Sequence, residues 1–175
     1  MAVILPFPNA AASWPSEAAS LPPAERLVLG GLRRWVAAFR RGADPRPELA
    51  MVMEEAGGPR RAAVSVDALL CVAARSARRL LDVRCPACPA VSLDEARLLH
   101  AARLAQRGEP EEAEAALRPL LTDAGASFAV GPLEGLGELL AGAGLRLRSR
   151  RLPDEHVDGA HSGFEAWAPP PRVLQ

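Results

Sequence analysis

Apolar residues recur along most of the chain at the spacing of an α-helix, not at the alternation of a strand. Val28, Leu32, Trp35, Val36 and Phe39 fall at i, i+4, i+7, i+8 and i+11, which is one helical face. This predicts a first helix from about Ser20, with Pro22 and Pro23 in a first turn that needs no N–H. Arg33, Arg34, Arg40 and Arg41 crowd its C-terminal half, where cations complement the helix dipole, and Gly42 is its stop. A short second helix fits residues 47–56, closed by Gly57 and Gly58. Pro59 opens a third, expected to run to about Leu81 with Ala62, Val66, Leu69, Leu70, Ala73, Ala77 and Leu80 on its apolar face.

Ser92-Leu-Asp-Glu95 is a capping box: the serine hydroxyl accepts from the Glu95 N–H while the glutamate reaches back to Ser92. A fourth helix is therefore expected from there to Arg107, with Gly108 as its stop. Glu109-Pro110 starts a fifth, to about Leu121, whose last turn Pro119 strains. A sixth is expected over 132–142, weakened by Gly135 and Gly137. Five or six helices joined by short connections imply an all-α bundle of antiparallel neighbours. Residues 97–121 resemble a single tetratricopeptide hairpin, with its small residues and Gly-x-Pro turn. The stretches about 34 residues before and after do not match, so an isolated hairpin is expected rather than a repeat array. Residues 1–20 are rich in Ala, Pro and Ser, and residues 148–175 are polar, aperiodic and Pro-rich. Both are expected to be disordered arms around a helical domain of residues 21–147.

Composition agrees with the helical reading. Val, Ile, Thr, Phe, Tyr and Trp together supply only 21 of 175 residues, too few for a large sheet, whereas Ala and Leu supply 35 and 25. All 21 basic residues are Arg, which reads as codon bias alongside the excess of Ala, Gly and Pro. Net charge is zero, which argues against a nucleic-acid partner, because phosphate neutralisation supplies most of such affinity. No apolar run approaches the roughly 18 residues of a membrane span, and residues 1–8 lack the basic start of a signal peptide. Three cysteines is an odd number, and a chain of this length builds a core without disulfides. The expected setting is the reducing cytoplasm, with no membrane partner.

The candidate chemistry lies at Cys85-Pro-Ala-Cys88, with Cys71 fourteen residues before and His100 twelve after, a possible Cys₃His zinc set. Height counts against that set. Cys71 would stand roughly 15 Å up the third helix and His100 about 12 Å up the fourth, away from the loop. Direction counts against it too, since His100 shares the outer face of its helix with Ala96, Arg103 and Arg107. Cys71 lies alongside Asp67, Arg75 and Arg78, so it is either a small residue in a secondary contact or a thiol whose thiolate the arginines favour. Cys85 and Cys88 are read as thiols of a Pro-stiffened loop. Alternatively they are a metal loop completed by a second chain or by His156 and His161, or a redox pair. A thioredoxin-like pair needs a strand before it and a helix straight after, which this stretch does not offer. Glu111, Glu112 and Glu114 are ordinary dipole complements of a first helical turn. Nucleotide-binding, zinc-protease and hydrolase signatures are missing from the sequence. Trp35 is expected in the core, and Trp14 and Trp167 are candidate anchors for a partner.

The stretch Leu32-Arg-Arg-Trp35, then Ala77-Arg-Arg-Leu80, Cys85-Pro-Ala-Cys88 with Asp94-Glu95, and Gln106-Arg-Gly108 resembles a small all-helical bacterial family of uncharacterised proteins. The resemblance covers about residues 21–147. It implies one helical domain with a Cys-bearing loop before a capped helix, and no activity or ligand. The function expected from the sequence is a non-enzymatic cytoplasmic interaction or regulatory module, without cofactor, that binds a protein or itself. The alternative is a zinc-binding or thiol redox-sensing protein using Cys85 and Cys88.

Overall fold

The computed structural model describes residues 12–13 and 16–152. Among these, six helices carry the fold: α1 (Pro23–Arg40), α2 (Arg46–Glu55), α3 (Ala62–Ser76), α4 (Leu93–Gln106), α5 (Pro110–Leu117) and α6 (Asp123–Gly142). A single 3₁₀ turn, Ala18–Ser20, precedes α1, and a two-residue strand, Ala12–Ser13, pairs in parallel with Arg150–Arg151. The protein is an all-α bundle, and no helix among the described residues is long and apolar enough to cross a membrane.

α6 lies against α3, α4 and α5, and α1 closes over α2, α3 and α4. The core between them is mostly leucine. Leu32, Leu49, Leu69, Leu98, Leu99, Leu117, Leu133, Leu136 and Leu140 are each at most 1% exposed, as is Met53. The first helix presents the face its spacing predicts, with Val28, Leu32 and Trp35 buried and Val36 and Phe39 packed at its margin. α4 and α5 form the expected hairpin. Gly108 takes φ +73° at its turn, a left-handed conformation that glycine adopts without a side-chain clash.

Three boundaries differ from the sequence expectation. α3 stops at Ser76, not Leu81. Ala77 is extended and pairs with Leu121, the Ser76 carbonyl accepts from the Thr122 N–H, and the Arg78 N–H donates to Leu120. α5 ends at Leu117: Arg118 keeps helical dihedrals, but Pro119 has no N–H with which to continue the ladder. α6 begins nine residues before the expected start. Thr122 is its N-cap, accepting from the Gly125 N–H at 3.2 Å, and the burial of Ala126, Ala129 and Leu133 outweighs its glycines. Pro132 sits inside α6. The hydrogen bond it removes is the one to the Phe128 carbonyl, at a residue 73% exposed and so open to solvent.

Parts of the two segments expected to be arms contact the bundle. Residues 16–18 lie against the loop before α4: Val91 donates to the Ser16 carbonyl and Ala18 to the Pro89 carbonyl. At the other end Leu147 is buried. Beyond it the Arg148 N–H and Arg150 Nε donate to the two carboxylate oxygens of Glu25, which is 1% exposed. The second segment supplies the backbone and charged partners that the buried Glu25 requires.

Candidate functional site: an anchored dithiol loop beside an apolar groove

The loop between α3 and α4 is held by three consecutive functions of the α4 N-terminus. Ser92 caps the helix, accepting from the Glu95 N–H at 3.1 Å, and its hydroxyl donates to the Asp82 carbonyl. Asp94, 2% exposed, accepts two bonds from Arg79, at 2.7 and 2.6 Å, and one from the Asp82 N–H. Glu95 is fully buried. Its Oε1 accepts from Arg33 Nε at 2.8 Å and from the Arg84 N–H, and its Oε2 from Arg33 Nη2 and the Ser92 N–H. The capping glutamate read from the sequence is therefore also the counter-ion of a buried arginine.

Arg33 is 2% exposed and stands in the middle of α1. Besides Glu95 it binds the Cys88 carbonyl through Nη1 at 2.5 Å and the Ala90 carbonyl through Nη2 at 2.6 Å. Burial opposes its charge, but the hydrogen bonds to Glu95 and the Glu95 charge outweigh that opposition and raise its pKa. The sequence reading assigned Arg33 to the helix dipole. Its partners lie 55 to 62 residues away, and nothing local announces them.

All three cysteines are free thiols, Cys85 exposed and Cys88 half-buried. The Cys88 N–H donates to the Cys85 carbonyl at 3.0 Å, so Cys85-Pro86-Ala87-Cys88 is one tight turn. Cys71 and His100 do not join it. Cys71 Sγ faces Asp67 Oδ1 at 3.9 Å on α3, the oxygen that also accepts from Trp35 Nε1 at 2.7 Å. Burial pushes the Cys71 thiol up, Asp67 reinforces this, and Arg75 opposes it without prevailing. Of the two readings of Cys71, this favours the small residue in a secondary contact over the arginine-favoured thiolate, and Arg78 turns away to Arg118, Leu121 and Asp123. His100 is half-buried on α4 rather than fully at the surface. Burial and the Arg103 charge lower its pKa, and its Nδ1 meets no hydrogen-bond partner among the described residues. The face it was assigned to is largely covered, with Ala96 1% and Arg103 8% exposed. Among the described residues no three His, Cys, Asp or Glu side chains stand together as a metal set, so Cys71, Cys85, Cys88 and His100 are not assembled into the Cys₃His site. Trp14, Trp167, His156 and His161 lie outside the described residues.

The same loop walls a small apolar groove that the sequence did not announce. Trp35 and Phe39 stack at 4.8 Å with their planes 12° apart, one helical turn separating them on α1. Leu70, Ala73, Ala74 and Ala77 form the opposite wall, and Leu81 and Val83 close one end. Val36 and Arg40 complete the lining, so among the described residues its only charge is a cation. The spacing of Trp35 and Phe39 placed both on an apolar face. That this face is only partly covered follows from α3 ending at Ser76, which turns the chain away and leaves the C-terminal half of α1 facing small alanines.

Protein-family profiles, curated proteins and solved structures offer no match to this chain.

Proposed function

We propose that this protein is a non-enzymatic cytoplasmic interaction module, and that the groove along Trp35 and Phe39 receives a short peptide segment with one or two apolar side chains flanked by carboxylates. The observation that carries this reading is an apolar groove whose accessible face is the half-buried Val36 and Phe39, with Trp35 stacked and buried beneath, the kind of concavity in which buried apolar anchors supply most of the binding free energy. Arg40 in the lining, and Arg75 next to Ala74 on the α3 wall, favour acidic flanks over basic ones. The strongly buried charges of the loop support binding rather than acid–base chemistry. Asp94 spends its hydrogen-bonding capacity on Arg79 and the Asp82 N–H, and Glu95 and Arg33 spend theirs on each other and on the backbone.

The test is calorimetry of the full chain against two synthetic hexapeptides, Asp-Asp-Leu-Phe-Asp-Asp and its Lys-flanked counterpart. The acidic peptide is expected to bind with a negative heat-capacity change, the mark of apolar burial. Ala74→Glu, at an exposed helical position on the wall, is expected to abolish binding while leaving the melting transition in place. No binding of the acidic peptide, or equal binding to the Ala74→Glu protein, overturns the reading. Concentration-dependent dimerisation that Ala74→Glu removes would also overturn it, by placing a second copy of the chain in the groove.

A further inference from the structure

We propose that Cys85 and Cys88 form a thiol–disulfide exchange site that low-molecular-weight disulfides oxidise to an intramolecular disulfide, a chemistry separate from peptide binding in the groove. Three observations carry it. The first is proximity: the Cys88 N–H to Cys85 carbonyl bond closes a four-residue turn with Pro86 at its second position. The ends of such a turn lie within about 7 Å, and a disulfide needs Cα atoms roughly 4.4–6.8 Å apart. The second is fixation. Arg33 grips the Cys88 and Ala90 carbonyls, Glu95 holds the Arg84 N–H, and Ala18 donates to the Pro89 carbonyl, so the backbone on both sides of the turn is tied to α1, α4 and the residues before α1. A pair held this way loses little conformational freedom on closing, which raises its effective concentration. The third is unequal access: Cys85 is exposed and Cys88 half-buried, which gives the two sulfurs different roles.

The exchange runs in two displacements. The Cys85 thiolate attacks one sulfur of the small disulfide RSSR, forming a mixed disulfide and expelling the first RS⁻. The Cys88 thiolate then attacks the Cys85 sulfur, forming the Cys85–Cys88 bond and expelling the second RS⁻. The two protons released by the cysteines go to the two RS⁻ groups, and the two electrons lost by the protein reduce RSSR to two RSH. Cys71, half-buried on α3 beside Asp67 with its thiol pushed up, takes no part. With two cysteines at the ends of one turn and no group of three His, Cys, Asp or Glu among the described residues, a dithiol fits this loop better than a closed structural zinc site does.

The test is incubation of the reduced full chain with glutathione disulfide, followed by peptide mass mapping. Wild type is expected to lose two thiols, release two equivalents of glutathione, carry a Cys85–Cys88 disulfide and keep Cys71 reduced. Cys88→Ser should trap glutathione on Cys85, and Cys85→Ser should react at least about tenfold more slowly, because the remaining sulfur is less accessible. Far-UV circular dichroism of both variants checks that the helices persist. Glutathione retained on Cys85 of the wild type, a disulfide through Cys71, or no adduct on a folded Cys88→Ser protein overturns the proposal.

Discussion

Arg33 combines burial, charge and four hydrogen bonds in one side chain, which makes it the residue whose loss the bundle should feel most. Replacing it with Met strands Glu95, fully buried, with an uncompensated charge and releases the Cys88 and Ala90 carbonyls. Breaking a buried pair from one side costs about 3–5 kcal/mol, so Arg33→Met should lower the urea midpoint by a corresponding amount. His100 sets a pH dependence. Its folded pKa lies below the ordinary 6.5, through burial and then the Arg103 charge, with Glu109 pulling weakly the other way. The unfolded chain therefore takes up a proton that the folded chain refuses, and stability should fall as pH drops through about 6.5. Thermal melting of wild type against His100→Gln from pH 7.5 to 5.5 checks this, and the variant should lose part of the slope.

At the scale of elements, α6 shows that helix formation here is decided by packing more than by propensity. Its glycines divide into two kinds. A Cβ at Gly137 would stand 2.7 Å from the Gln106 Cα and 3.0 Å from its nitrogen, so α6 crosses the end of α4 at a distance only glycine allows. A Cβ at Gly131 would meet nothing. Gly137→Ala should therefore destabilise by about 1–3 kcal/mol through overpacking, whereas Gly131→Ala should stabilise by about 0.4–1 kcal/mol. Opposite shifts of the two melting temperatures are the check. The same contrast explains why the first half of α6 was not legible in the sequence. Gly125 and Gly131 argue locally against a helix, and only the apolar wall offered by α3, α4 and α5 reverses that. α1 and α4 were legible because their spacing, prolines and capping box agree with their packing.

Across the whole molecule, the ends of the helical domain are fastened by one buried carboxylate. Glu25 on α1 accepts from the Arg148 N–H and from Arg150 Nε, some 125 residues along the chain. Arg150→Met should cost about 3 kcal/mol, near the low end for breaking a buried pair, because the Arg148 bond remains. Chemical denaturation of that variant against wild type tests it, and an unchanged midpoint would show that Glu25 needs no cation.

What the sequence determined by itself is the helical class, the placing of most helices and the cap at Ser92, because these depend on spacings of three to eleven residues that the chain carries locally. It also placed two thiols in one loop. What only the tertiary structure decided is who meets whom. Arg33 reaches Glu95 and the Cys88 carbonyl, Asp67 takes the Trp35 indole and the Cys71 thiol, and Glu25 takes Arg150. Each of these pairs a buried polar group with the nearest compatible partner once the helices have packed, and when they are far apart in sequence no local pattern records the choice. The groove follows the same logic. Trp35 and Phe39 were legible as an apolar face, but its partial opening to solvent was set when Ser76 and Ala77 found their partners at Thr122 and Leu121 and α3 stopped short.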